Sequence, residues 1–229
     1  MKKLKGYFSV FEISLWITSV TLITLSFLLF DRKNLWTLLA SVIGVTAILL
    51  SAKGNPIGQG MMVIFSIIYG FISFGFAYYG EMATYLGMTL PMSVISLIAW
   101  LRNPFKGNKA EVRINRISKK ETVFMILLSL CVTAVFYFIL KYFSTANLIP
   151  STLSVTTSFA AVYLTFRRSP YFSLLYAFND IVLIILWVWA SITDLKYISV
   201  VVCFLMFLAN DIYAFSSWRK IETRQRTVD

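Results

Sequence analysis

Asn179 and Asp180 stand side by side inside an otherwise apolar run, with Tyr176 one helical turn before them. A second pair, Asn210 and Asp211, interrupts the next apolar run. Ionisable groups at membrane depth are costly, so they are kept where they line a path or bind a ligand. Asp180 lies nine residues from the basic flank of its run, or roughly 13 Å at 1.5 Å per residue, which is close to a bilayer midplane. The competing use of such groups is a hydrogen bond between helices, typically about 0.6 kcal/mol. An Asn-Asp pair at midplane beside an aromatic ring points to a site. Asn210-Asp211 lies about two turns from the end of its run, and for it both uses stay open.

Other residues extend the pattern. Gln59 places a carboxamide near the inner end of the third run, at its start, where it needs a partner. Ser151, Ser154 and Ser158 share one helical face, with Thr152 and Thr156 beside it. Small hydroxyl residues at that spacing also serve close helix packing. Trp187 and Trp189 offer indole faces that stack well on a flat heteroaromatic ring. Pro91 leaves a backbone carbonyl free and predicts a kink or hinge in its helix.

The same inventory excludes other chemistry. The chain has no histidine, which removes His-ligated zinc and the usual general base. Cys131 and Cys203 sit inside apolar runs without ligand-like neighbours and read as packing residues. No Gly-x-x-x-x-Gly-Lys loop is present for nucleotide phosphates. Asp180 and Asp211 lack any accompanying protease-like sequence. No enzyme activity, cofactor or metal is expected.

The elements that must position these residues are transmembrane helices. Of 229 residues, 59% are hydrophobic and 14% charged, and the mean hydropathy is +0.77; soluble domains carry about 25% charged residues. Eight apolar runs cover roughly 10–30, 34–52, 56–79, 83–101, 122–142, 146–166, 171–193 and 197–218. Each is close to the ~20 residues that a helix needs to cross a hydrocarbon core of about 30 Å. The runs are continuous rather than alternating, and backbone in lipid must satisfy its own hydrogen bonds, so helix is the form they take. The first run follows Lys2, Lys3 and Lys5 but has no small-x-small cleavage site, and it reads as a retained span.

Charge predicts the orientation. With eight spans both termini share a side, and 17 of the 21 basic residues fall on that side. Only Arg32, Lys33, Lys141 and Lys196 fall on the other. Basic loops stay in the cytoplasm, so both termini are expected there. The net charge of +11 then needs no nucleic acid. The basic stretch from Arg102 to Lys120 reads as a cytoplasmic loop lying on anionic lipid headgroups.

A faint repeat is also visible. Tyr79 precedes Trp100-Leu101-Arg102 by 21 residues, and Tyr197 precedes Trp218-Arg219-Lys220 by the same interval. Interfacial aromatic belts produce some of this in any helix running that way. A triple-helix repeat of spans 2–4 and 6–8, joined by span 5, also fits. An odd connector gives parallel repeats, as in sugar transporters of the SWEET type. Span 1 is then an added peripheral helix.

Longer stretches resemble a known family. Tyr79-Gly80-Glu81 through Pro91-Met92, followed by Trp100-Leu101-Arg102-Asn103-Pro104, is similar to the nicotinamide riboside transporter (PnuC) family, especially its Gram-positive branch. So are Lys53-Gly54-Asn55-Pro56-Ile57-Gly58-Gln59 and the segment Asn210 to Lys220. The resemblance covers about residues 35–220. It implies a 3+1+3 core of SWEET-like architecture, commonly a homotrimer. It implies facilitated diffusion of a vitamin-like nucleoside, trapped in the cytoplasm by phosphorylation. The family's signature in span seven is Trp-x-x-Trp-x-x-Asn, often followed by Asp; here Ser173 replaces the first Trp and Tyr176 the second, while Asn179 and Asp180 match. The binding role therefore carries over to Asn179, plausibly to Tyr176 and poorly to Ser173. Relatives carry thiamine, riboflavin or deoxynucleosides.

The expectation is an all-α, eight-helix transporter of the bacterial cell membrane that moves nicotinamide riboside or a related vitamin. Its parts are a peripheral helix (1–33), a first repeat (34–101), a basic loop and connecting helix (102–143), a second repeat (144–220) and a tail (221–229). Tyr176 and Trp187 are expected to stack on the ring, and Asn179, Asp180, Gln59, Asn210 and Asp211 to bind the polar groups. The expected partners are this small molecule and membrane lipids. An ion-coupled symporter with Asp180 or Asp211 as the proton or sodium site is the alternative, and a membrane-embedded enzyme a distant third.

Overall fold

The structure is a computed structural model that describes residues 6–75, 79–145 and 147–228. It is helical apart from one small hairpin. The helices are α1 (Val10–Phe30), α2 (Leu35–Ala52), α3 (Pro56–Gly75), α4 (Tyr79–Thr84), α5 (Leu90–Leu101), α6 (Lys119–Tyr142), α7 (Leu148–Phe166), α8 (Phe172–Thr193) and α9 (Ile198–Val228). A π turn, Tyr85–Thr89, joins α4 to α5, so these form one crossing. Among the described residues, eight helical segments are long and apolar enough to cross a membrane.

Two ends differ from the sequence expectation. The fourth span begins at Tyr79, not near 83, which takes Glu81 out of a loop and into the helix. The last helix runs ten residues past Trp218 to Val228. That extension is polar, and its buried face, Glu222 and Gln225, packs on the linker. The linker is itself folded. Strands β1 (Pro104–Phe105) and β2 (Asn108–Val112) pair antiparallel, and Lys106 (φ 47°) and Gly107 (φ 78°) supply the left-handed pair that a tight hairpin turn requires. Gln225 accepts from the Ile114 N–H at 2.9 Å and donates to the Val112 carbonyl at 3.0 Å. Arg224 pairs with Glu111, and Arg116 with Glu222.

The kink expected at Pro91 takes the form of that π turn. The Leu90 N–H reaches back to the Tyr85 carbonyl, and Pro91 then sits at the start of α5, where it needs no N–H partner.

The ends of α2 and α7 are built alike. In α2 the Asn55 N–H bonds the Leu50 carbonyl at 3.1 Å and the Gly54 N–H bonds Ser51 at 2.9 Å. In α7 the Ser169 N–H bonds Leu164 and the Arg168 N–H bonds Thr165, both at 3.0 Å. Gly54 (φ 69°) and Arg168 (φ 57°) are the left-handed residues of these two Schellman caps. Pro56 and Pro170 follow them.

Packing follows the same pairing. α2 lies on α3 and α7 on α8; α2 also meets α9, and α7 meets α5. The Trp218 indole donates to the Ser51 carbonyl at 2.7 Å, and the Trp100 indole donates to the Thr165 carbonyl at 2.8 Å. Both rings are fully buried and touch each other and Phe172. The linker closes over this end: Val112 N–H bonds the Gly54 carbonyl at 2.9 Å, and Asn115 N–H bonds the Arg168 carbonyl at 3.1 Å. This end, the basic end, carries the start of α1, the end of α9 and the linker.

α1 packs on α2 and α9 and is held by polar contacts. Glu12 accepts from Lys53 and from the Tyr213 hydroxyl, and the Trp16 indole donates to Thr46 at 3.0 Å. α6 lies against α7, where Thr133 and Thr156 hydroxyls meet at 2.8 Å.

Candidate functional site

α8 carries Tyr176, Asn179 and Asp180 on successive positions of one face, and that face turns toward α7 and the first half of the bundle. Between them lies a cavity of about 140 Å³. One buried water needs only about 10–15 Å³ on this measure, so the space fits a larger molecule. Six of the seven residues expected to bind substrate line it: Gln59, Tyr176, Asn179, Asp180, Trp187 and Asp211.

Each is positioned by its neighbours. Ser154 and Thr157 on α7 both donate to Asn179 Oδ1, at 3.1 and 2.8 Å. These two donors fix the amide orientation and leave its Nδ2 without a protein acceptor among the described residues. Gln59 Nε2 donates to the Ser51 hydroxyl at 3.1 Å, close to the Trp218 anchor. The Tyr176 ring meets Phe172 edge-on at 6.2 Å. Trp187 is 8% exposed and packs on Tyr197, whereas Trp189 is 52% exposed on the outer surface, which decides between the two indoles.

Asn210 is elsewhere. It is buried, but its Nδ2 donates to Ser19 on α1 at 2.9 Å and to the Met206 carbonyl at 2.7 Å. One residue along a helix turns the side chain by about 100°, so Asp211 faces the cavity while its neighbour faces α1.

Three acids line the cavity: Glu81, Asp180 and Asp211. No lysine or arginine is among its described lining residues. Asp180 on α8 and Asp211 on α9 are each 4% exposed, and both line the cavity where these two helices pack. The walls between these acids carry hydroxyls, from Ser151, Ser154 and Ser158 on α7 and from Thr84 and Thr89 on the fourth span. Opposite them stands an aromatic wall that sequence reasoning missed. Tyr69 and Tyr85 lie with ring centroids 4.6 Å apart, and both touch Phe65. Phe207 continues it. Among the described residues no group of three or more His, Cys, Asp or Glu could hold a metal ion.

The arrangement has the parts of a solute-binding site: flat aromatic faces, hydroxyl and amide groups with spare hydrogen-bonding capacity, and carboxyl groups without a basic partner among the described lining residues.

Comparison with known proteins agrees. The family model described as nicotinamide mononucleotide transporter matches residues 34–220. The chain is 22% identical to the nicotinamide riboside transporter PnuC of Neisseria mucosa over 227 residues, which cover 97% of this chain and 86% of that protein. The crystal structure of the vitamin B3 transporter PnuC has the same fold, with a TM-score of 0.81 at 21% identity, over 97% of this chain and 96% of that one.

Proposed function

The chain belongs to the nicotinamide mononucleotide transporter family, and from that premise we propose that it carries nicotinamide riboside, a pyridinium nucleoside, across the bacterial cell membrane. The observation that carries the choice of substrate is electrostatic. Among the described residues, three acids and no lysine or arginine line the cavity. In a low-dielectric site such acids favour a cation and oppose a phosphate. The riboside bears a positive ring and no phosphate, whereas the mononucleotide adds a dianionic group with nothing to receive it. Hydroxyl and amide groups suit ribose and carboxamide, and Trp187, Tyr85 and Tyr176 suit the flat ring. Thiamine, also a flat cation, is the second reading that the same acids favour.

Transport runs down the substrate gradient, and phosphorylation inside the cell traps the product. The basic end faces the cytoplasm, in keeping with 17 of 21 basic residues on that side. Spans 2–4 and 6–8 act as parallel repeats about α6, a reading supported by their matching caps and crossed tryptophans. The two repeats rock around the site, with the π turn before Pro91 as a hinge. Assembly as a homotrimer rests on the family resemblance.

The test is uptake into liposomes holding the purified protein. Nicotinamide riboside should enter and the mononucleotide should not. Equal entry of both, or no entry of the riboside, would overturn the reading.

A further inference from the structure

On the outer surface of the basic end, α3 and α5 leave an open groove between them. Ile57, Gly60, Met61 and Ile64 line it from α3, at the spacing of one helical face, and Leu97 and Leu101 line it from α5. Ile57, Ile64 and Leu101 are exposed. From Ile57 to Ile64 the apolar wall runs about 10 Å along the helix, roughly two-thirds of one leaflet's share of a ~30 Å hydrocarbon core. Gly60 keeps the groove open, since a methyl added there would meet nothing within 4 Å. Strand β2 packs on both helices and adds Lys109 and Ala110 at the polar edge. Lys109 is exposed and has no ion-pair partner among the described residues. α3 starts beside it at Pro56, so the positive end of the helix dipole lies at the same level.

The groove is thus amphipathic, with hydrocarbon walls inside the membrane and a cation at its polar edge. The described acids of the basic end, Glu12, Glu111, Glu121 and Glu222, are each paired within the chain, with Lys53, Arg224, Arg167 and Arg116. A second copy would therefore offer Lys109 no free carboxylate from these residues. An anionic lipid offers both parts, a phosphate for the ammonium and an acyl chain for the walls. We propose that the groove holds one anionic phospholipid of the adjoining leaflet, its acyl chain between α3 and α5 and its phosphate on Lys109. The site is independent of what the central cavity carries. It concentrates the headgroup contact expected of the whole basic linker at one place, where the hairpin meets the two helices.

Native mass spectrometry of the detergent-purified, delipidated protein counts the lipid bound when phosphatidylglycerol or phosphatidylcholine with identical acyl chains is added. Wild type should bind one phosphatidylglycerol per chain, about fivefold more tightly than phosphatidylcholine. Lys109→Gln should bind the two lipids equally. Gly60→Leu fills the groove and should lose both. Melting temperatures of the lipid-free variants show that they are folded; if Gly60→Leu is not, wild type against Lys109→Gln decides alone. Equal binding of the two lipids by wild type, or a preference that survives in Lys109→Gln, would overturn the proposal. A folded Gly60→Leu that keeps its lipid would overturn it too, in favour of an interface between copies if that variant changes the oligomeric state.

Discussion

The halves of the bundle before and after α6 end alike and differ in the middle. At the basic end each contributes a left-handed cap, a buried tryptophan that bonds the other half's cap carbonyl, and a carbonyl held by the linker. At the cavity the likeness stops. The second half supplies Tyr176, Asn179, Asp180, Asp211 and the serines of α7, while the first supplies Phe65, Tyr69, Tyr85 and Gln59 with Glu81, Thr84 and Thr89. Closure demands matched geometry from both partners, so its parts come in pairs. Recognition of one asymmetric molecule needs different groups on its two sides, so its parts do not.

The closure should break symmetrically. Trp100→Ala and Trp218→Ala each remove a fully buried indole and its hydrogen bond. Each should cost about 3–5 kcal/mol, read as a large fall in melting temperature in detergent. A severe loss for one and a negligible loss for the other would end the equivalence.

The cavity should break asymmetrically. Tyr176→Ala should cost about 1–3 kcal/mol of ring stacking in ligand affinity. Tyr176→Phe keeps the ring and should bind nearly as wild type. Gln59→Ala, on the first half, should cost less than Tyr176→Ala, because Gln59 Nε2 is already bound to Ser51. Binding titrations of the three variants with nicotinamide riboside check the order.

Gly54→Ala probes one cap. The added methyl would meet Val112 Cγ1 at an ordinary 3.5 Å, so the penalty comes from the positive φ of 69°. It should be about 1 kcal/mol, seen as a modest fall in melting temperature with ligand affinity unchanged. Smallest is Asn210→Ala, which loses the bond to Ser19. It should cost on the order of 0.6 kcal/mol of stability and leave affinity intact. A binding defect in that variant would put Asn210 in the site after all.

Much of this was legible in the sequence for a physical reason. A bilayer demands about 20 apolar residues per crossing, so the spans and the midplane acids stand out against that background. Tyr176, Asn179 and Asp180 were found because polar groups are conspicuous there. Tyr69, Tyr85 and Phe65 were not, because aromatic residues fill the whole chain and only packing separates the cavity face from the lipid face. Glu81 was missed because residues 80–82 fell between the third and fourth apolar runs, and the helix start lay four residues earlier than hydropathy placed it. The hairpin of the linker was hidden by its basic charge, although Lys106-Gly107 is a turn signal. Asn210 and Asp211 are neighbours in sequence, and only the angle of the helix decides that one faces α1 and the other the cavity.

The most direct test of the cavity as the binding site is the affinity of nicotinamide riboside for the wild-type protein and for Asn179→Ala, with both melting temperatures measured beside it. Asn179 Oδ1 is held by Ser154 and Thr157, and its Nδ2 is left for the ligand. Losing that donor should weaken binding by about 1–3 kcal/mol, roughly 5- to 150-fold, with little change in the melting temperature of the empty protein. An Asn179→Ala variant that binds as tightly as wild type would place the site somewhere other than between the two halves.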